Sequence, residues 1–227
     1  MNQAFRRTLP ILILLSAIGA QAQFYKSEFH NSSLSVGGFG QFTTPLTTDP
    51  GSGNYIVPFG AGISTYPVTI TNKQQFTTDS AGFITSFQFH PVSWAGVELN
   101  YSFTHYSERF TFNYSTPANS AQHIYAPTDA HEATAAYSFH PKHIPFQPFL
   151  NIGGGSIDFA PRNLANQWRG AGLTELGFDL PTHSSRIGFR VEGRALIYRA
   201  PNFGSPQFST RSWRVTEEPS ASVYYKF

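Results

Sequence analysis

The sequence predicts an all-β fold: an eight-stranded antiparallel up-and-down transmembrane β-barrel. Three observations carry this. The stretch Pro219–Phe227 alternates, with Pro219, Ala221, Val223, Tyr225 and Phe227 on one parity and Glu218, Ser220, Ser222, Tyr224 and Lys226 on the other. Period two marks a strand with two unlike faces. Beyond the first 22 residues no apolar run approaches the roughly 20 residues of a spanning helix, so a chain in a membrane must cross it as a closed barrel. The connections between alternating runs are by turns short and long, as in small barrels with tight turns on one side and long loops on the other.

The elements follow in order. Residues 1–22 read as a secretory signal: Arg6 and Arg7, a short apolar core from Ile11 to Ile18, and the small-x-small site Ala20-Gln21-Ala22. The mature domain is then 23–227, with strands from about 33. Eight alternating runs fall at about 33–42, 76–90, 95–106, 124–139, 146–157, 170–179, 186–199 and 216–227. In the third, Val97, Leu99, Tyr101 and Phe103 share a face, opposite Glu98, Asn100, Ser102 and Thr104. In the seventh, Ile187, Phe189, Val191, Gly193, Ala195 and Ile197 oppose Arg190, Glu192, Arg194 and Tyr198. The run 146–157 is blurred by Gly153-Gly154-Gly155, where glycine allows a bend or a close approach. Short connections lie near Pro91–Trp94, His140–Pro145 and Leu180–Ser185; long ones span 43–75, 107–123, 158–169 and 200–215. The first long one leaves eight versus ten strands open, because 66–71 also alternates. Pro58 and Pro67 weigh against two more wall strands, so 66–71 is expected to extend a hairpin above the membrane.

Composition narrows the function classes. With 15 Lys and Arg against 13 Asp and Glu, loss of Arg6 and Arg7 leaves the mature chain balanced. Nucleic-acid binders are clearly basic, so no nucleic-acid partner is expected. Charged residues make up only 12% and aromatics 16%, and there is no Cys. A soluble β-sandwich would also alternate, but it would not gather charge on one set of facing positions. With the apolar parity toward lipid, Glu98, Glu132, Glu175, Arg190, Glu192, Arg194 and Glu218 point inward. Eight strands leave an interior just wide enough for side chains to fill. The expectation is a plug of ion pairs, with Arg190 and Arg194 bridging to Glu98, Glu132 or Glu175. Aromatic belts are expected at Phe89, Trp94, Phe139, Phe178 and Phe227 on one side and Phe103, Tyr125, Trp168 and Trp213 on the other.

The segment Ala95-Gly96-Val97-Glu98-Leu99-Asn100-Tyr101 resembles the third strand of the small OmpA/OmpX-like outer-membrane β-barrel family, where a Gly-Val-Glu-x-Asn-Tyr pattern recurs. Arg190 through Tyr198-Arg199-Ala200-Pro201-Asn202-Phe203 to Glu218-Pro219-Ser220 resembles the last hairpin of a bacterial outer-membrane β-barrel domain. Val223, Tyr225 and Phe227 are similar to the C-terminal sorting signal read by the barrel assembly machinery. The resemblance implies a Gram-negative-type outer membrane, with the lipid bilayer, lipopolysaccharide and that machinery as partners, and a monomer.

Three function classes follow: a structural or surface-interaction protein acting through long loops, a narrow porin-like channel for small polar solutes, and a lipid A esterase. The last rests on His105-Tyr106-Ser107, which has the His-x-Ser spacing of the lipid A deacylases, with Asp129 and His131 on the neighbouring strand completing a Ser-His-Asp set. The surrounding sequence does not match those enzymes, so no enzyme is expected. His90, His140, His143 and His183 at the turns lack accompanying thiols or clustered carboxylates, and Gly153-Gly154-Gly155 lacks the Lys-Ser/Thr of a phosphate loop. No metal and no cofactor is expected.

Overall fold

The computed structural model describes residues 31–46, 53–59, 64–114, 121–141, 146–183, 186–204, 210 and 212–227. The signal segment and His143 lie outside them. Ten strands run in chain order: β1 (Ser32–Pro45), β2 (Gly53–Phe59), β3 (Ser64–Thr77), β4 (Ser80–Val92), β5 (Ala95–Tyr114), β6 (Ala121–Phe139), β7 (Pro148–Pro161), β8 (Gln167–Pro181), β9 (Ile187–Arg199) and β10 (Trp213–Lys226). Eight of them close a ring. β4 through β10 pair antiparallel in sequence order, and β1 pairs with both β10 and β4.

The ring can be walked by register: Ser35, Ser86, Asn100, Thr134, Gly155, Ala171, Tyr198, Arg214 and back to Pro45. The walk returns ten residues further along β1. An offset of ten residues at about 3.3 Å each, against eight strands about 4.8 Å apart, tilts the strands by about 40°. Every residue on this path faces inward, because the pleat must keep its parity around a closed sheet.

β2 and β3 stand outside the ring. They form a hairpin, and β3 pairs with the upper part of β5 from Ile70↔Tyr114 to Thr77↔Glu108. The run 76–90 is therefore divided: Phe76 and Thr77 end β3, and the wall strand starts at Ser80. Pro58 and Pro67 lie in this hairpin, clear of the wall. β5 and β6 are 20 and 19 residues long, where a tilted crossing needs only about 9–11. They pair as far as Asn113↔Ala121, so most of the stretch expected as a loop at 107–123 is strand. β2, β3 and the upper halves of β5 and β6 thus make a sheet rising beyond the barrel. Across the β6–β7 seam, Gly153 and Gly155 allow close approach: a Cβ on Gly153 would sit 2.5 Å from Ala136 Cα.

Candidate functional site: the barrel lumen and mouth

Burial follows the alternation. On β9, Arg190, Glu192, Arg194, Leu196 and Tyr198 are buried, while Phe189, Val191 and Ile197 are exposed. The exposed set continues around the wall with Val97, Leu99, Tyr137, Ile152, Leu176 and Val223. An apolar surface this continuous belongs in hydrocarbon, and the barrel is a transmembrane one. Phe89, Trp94, Phe139, Phe178 and Phe227 are exposed on the side where β1 begins and β10 ends; Tyr125, Trp168 and Trp213 are exposed toward the other rim, where Phe103 is half-buried.

Inside, the lumen is built in storeys. The lowest centres on Arg190. Its Nε and Nη2 reach Asp179 Oδ1 and Oδ2 at 2.7 and 3.0 Å, and Nη2 also donates to Gln88 Oε1 at 2.6 Å. Nη1 approaches Glu98 Oε2 at 3.4 Å, and the guanidinium lies 4.7 Å from the Phe149 ring centre. Gln88 donates to Glu98. Asn151 Nδ2 ties this storey to the next, donating to Glu98 Oε2 at 2.9 Å and Glu175 Oε2 at 2.7 Å.

The middle storey centres on Arg194. Each of its three nitrogens takes a different carboxylate: Nε to Glu175 at 2.7 Å, Nη1 to Glu218 at 2.6 Å and Nη2 to Glu132 at 2.5 Å. These partners come from β8, β10 and β6, so one side chain on β9 braces four strands. Charge-assisted bonds of this kind are the strong ones, and they satisfy a guanidinium that burial would otherwise penalise.

Of the seven charged residues read as inward, all lie inside. Arg194 joins Glu132, Glu175 and Glu218; Arg190 reaches Glu98. Glu192 meets neither arginine in an ion pair and accepts from Ser220 Oγ at 2.9 Å. Asp179, the main partner of Arg190, was not among the seven, although it shares the parity of Glu175. Asn100, read on the inward face beside Glu98, completes the network with Gln88 and Asn151, which the charged pattern does not mark.

Above Arg194 the interior changes character, which corrects the expectation of a wholly polar plug. Ile157, Phe159, Leu173, Leu196, Tyr198, Tyr106 and Phe110 form an apolar cluster with Phe203 from the loop after β9. Between this cluster and the middle storey lies a cavity of about 10 Å³ lined in part by Gln41, Glu132, Tyr198 and Glu218, room for a single water. The 200–204 segment enters the mouth. Phe203, 1% exposed, meets Phe110 edge-on at 6.1 Å. Gln167 Oε1 accepts from the backbone N–H of Asn202 at 2.7 Å and of Phe203 at 3.0 Å, and Gln75 donates to Pro201 O at 2.8 Å. These bonds hold Phe203 at φ +50°, a left-handed conformation that costs a bulky residue free energy. A third buried arginine, Arg214, pairs with both oxygens of Glu108 at 2.6 and 3.0 Å and closes the mouth beneath Gln75. Both residues fell within stretches read as loops.

The esterase set is only partly assembled. His105 Nδ1 lies 2.6 Å from Asp129 Oδ1 on the outer wall. His131 instead pairs with the Tyr101 hydroxyl at 2.9 Å. No hydrogen bond joins the Ser107 hydroxyl to either imidazole; Ser107 meets Thr78 through its backbone. At the lower rim His90 Nε2 and His140 Nδ1 are 3.2 Å apart. His140 lies just past the end of β6, and burial beside His90 and Arg190 pulls its imidazole down to about 4. Among the described residues no three His, Cys, Asp or Glu side chains stand together as a metal site.

No protein-family model matches the sequence, and no curated protein matches it. Among solved structures the chain is similar to the outer membrane protein OprG from Pseudomonas aeruginosa, at 14% identity over 88% of this chain and 97% of that one, TM-score 0.48. It is also similar to Neisserial surface protein A, at 8% identity over 87% and 97%, TM-score 0.45, and to Ail of Yersinia pestis, at 11% identity over 85% and 97%, TM-score 0.39. The strand pairing described above, rather than these distant likenesses, defines the barrel.

Proposed function

We propose that this chain is an outer-membrane protein of a Gram-negative-type envelope, with a structural or surface-interaction role and no catalytic activity. The observation that supports this reading is a closed lumen beneath a raised sheet. Arg190, Arg194 and Phe203 stand where a water-filled path would have to run, which disfavours the porin-like alternative. The raised sheet offers main-chain edges: among the described residues β2 pairs on one side only, and β6 above Pro127 has no partner on its β7 side. Unpaired edges accept another strand or an extended peptide. Within the ring itself each strand is paired on both sides, consistent with a monomer in lipid. The outward, exposed Val223, Tyr225 and Phe227 are available to the assembly machinery, and the aromatic rims to lipopolysaccharide and lipid headgroups. The esterase reading is weakened by the unjoined Ser107.

The experiment is adhesion of cells displaying the chain to protein-coated surfaces, compared with a barrel shortened by residues 53–72. Adhesion lost while the barrel still assembles agrees with the proposal. Equal adhesion by the shortened barrel, or steady open-channel current from the intact protein in planar bilayers, contradicts it.

A further inference from the structure

The lower two storeys of the lumen are not electrically balanced. They contain Glu98, Glu132, Glu175, Asp179, Glu192 and Glu218, all at most 4% exposed, against Arg190 and Arg194. Ionised, these groups leave four uncompensated negative charges in a closed interior, where like charges oppose each other far more than in water. Nearby cations are committed elsewhere. Arg214 serves Glu108 above, and Lys226 lies below, 5.0 Å from the Tyr224 ring centre and bonded to Gln147.

Buried side-chain oxygens without a protein partner in the lumen include Glu98 Oε1, Glu192 Oε2, Asn100 Oδ1 and Asn151 Oδ1, with the hydroxyls of Ser86, Ser222 and Tyr224. The asparagine amides are oriented by their donors. Asn100 Nδ2 gives to Glu175 at 3.0 Å, and Asn151 Nδ2 gives to Glu98 and Glu175. What they leave over is carbonyl oxygen. The carboxylates belong to the same neighbourhood, since Glu98, Glu175 and Glu192 act on one another electrostatically. A proton on Glu98 or Glu192 neutralises one carboxylate and supplies a single O–H donor, enough for one amide oxygen. A hard divalent cation takes six to eight oxygens, mixing carboxylate, amide carbonyl and water.

We infer that Glu98, Asn100, Asn151 and Glu192 form an internal site for a hard divalent cation, with Ca²⁺ the best fit. Ca²⁺ tolerates irregular oxygen shells, whereas Mg²⁺ demands near-octahedral geometry. Two of the four ligands are amides, so the set lies outside the thiolate, imidazole and all-carboxylate patterns. The site goes beyond the surface role and requires only that the chain folds as a barrel.

The test uses the mature chain refolded in zwitterionic detergent, freed of metal by chelator and equilibrated with Ca²⁺. Metal content after dialysis should be one Ca²⁺ per barrel, and the thermal unfolding midpoint should rise with Ca²⁺ and saturate. Glu192→Gln, which removes one charge and leaves both arginine clusters intact, should weaken Ca²⁺ binding by about tenfold or more; Glu98→Gln should do the same if it folds. The inference is overturned by a barrel that retains no Ca²⁺, or by Glu192→Gln binding Ca²⁺ as tightly as the parent. It is also overturned by a midpoint that rises on acidification while ignoring Ca²⁺, which would assign the compensation to protons.

Discussion

The lower and upper halves of the lumen use the same pleat and the same strands, yet they are filled in opposite ways. Below, Arg190 and Arg194 gather carboxylates and amides from across the ring. Above, Phe110, Phe159, Leu196 and Phe203 pack as in the core of a soluble protein, with a single ion pair, Arg214–Glu108, under the loop. The difference follows the surroundings of the wall. Where the outer face lies in lipid, the inward face is free to be polar, provided each charge finds partners. Where β5, β6 and β3 rise past the membrane, the sheet meets water outside and needs apolar filling inside. The lower half depends on geometry and the upper half on volume, and substitutions separate the two.

The largest effect is expected from Arg194→Met. It leaves Glu132, Glu175 and Glu218 without their common cation, and breaking one side of a buried network costs about 3–5 kcal/mol. Denaturant unfolding in detergent should show that loss or a failure to fold. Phe203→Ala should cost less than the roughly 3–5 kcal/mol of a buried core Phe, because the loop can settle into the gap. Its signature is a mouth open to small thiol reagents aimed at a cysteine introduced at Ser212, with the lower half still folded. An outward change on β8, Thr174→Arg, about midway between the Trp168 and Phe178 rims, should cost about 2–4 kcal/mol near the bilayer midplane and much less at the Trp168 rim. If both positions respond alike, the lipid belt is misplaced.

Acid should act on the lower rim. His140 is held neutral down to about 4, below the usual imidazole value. As pH falls from about 6.5 toward 4, the unfolded chain takes up a proton that the folded rim refuses, so stability drops across that window and is fully present above it. In His140→Gln the acid-induced drop between those pH values should shrink. The smallest effect is expected from Ser107→Ala, which should leave lipid A composition, read by mass analysis, unchanged.

The wall was readable in the sequence because lipid selects one parity so strongly. Val97, Leu99 and Tyr101, or Val223 and Tyr225, mark the outward face, and Arg190 and Arg194 follow as inward by elimination. Four things escaped that logic. Asp179 and Asn151 lay on the inward parity but at strand ends or in the glycine-blurred run, where the pattern is weakest. Glu108 and Arg214 sat in stretches that no longer alternate against lipid, so the continuation of β5 and β10 carried no periodic signal. The entry of Phe203 into the mouth depends on contacts between segments far apart in the chain, with Gln75 and Gln167 holding the loop, and no local pattern encodes it. The β2–β3 hairpin was foreshadowed by the alternation at 66–71, but its docking on β5 beyond the wall was not.

The central claim, apolar side chains in lipid and polar ones enclosed, is tested most directly on β10, in a chain that has no native cysteine. Single cysteines at Ser220, Ala221, Ser222 and Val223 would be spin-labelled in reconstituted bilayers and exposed to a lipid-soluble relaxing agent. The account requires strong relaxation at 221 and 223 and weak relaxation at 220 and 222. Uniform relaxation along the four positions, or the opposite alternation, would contradict it.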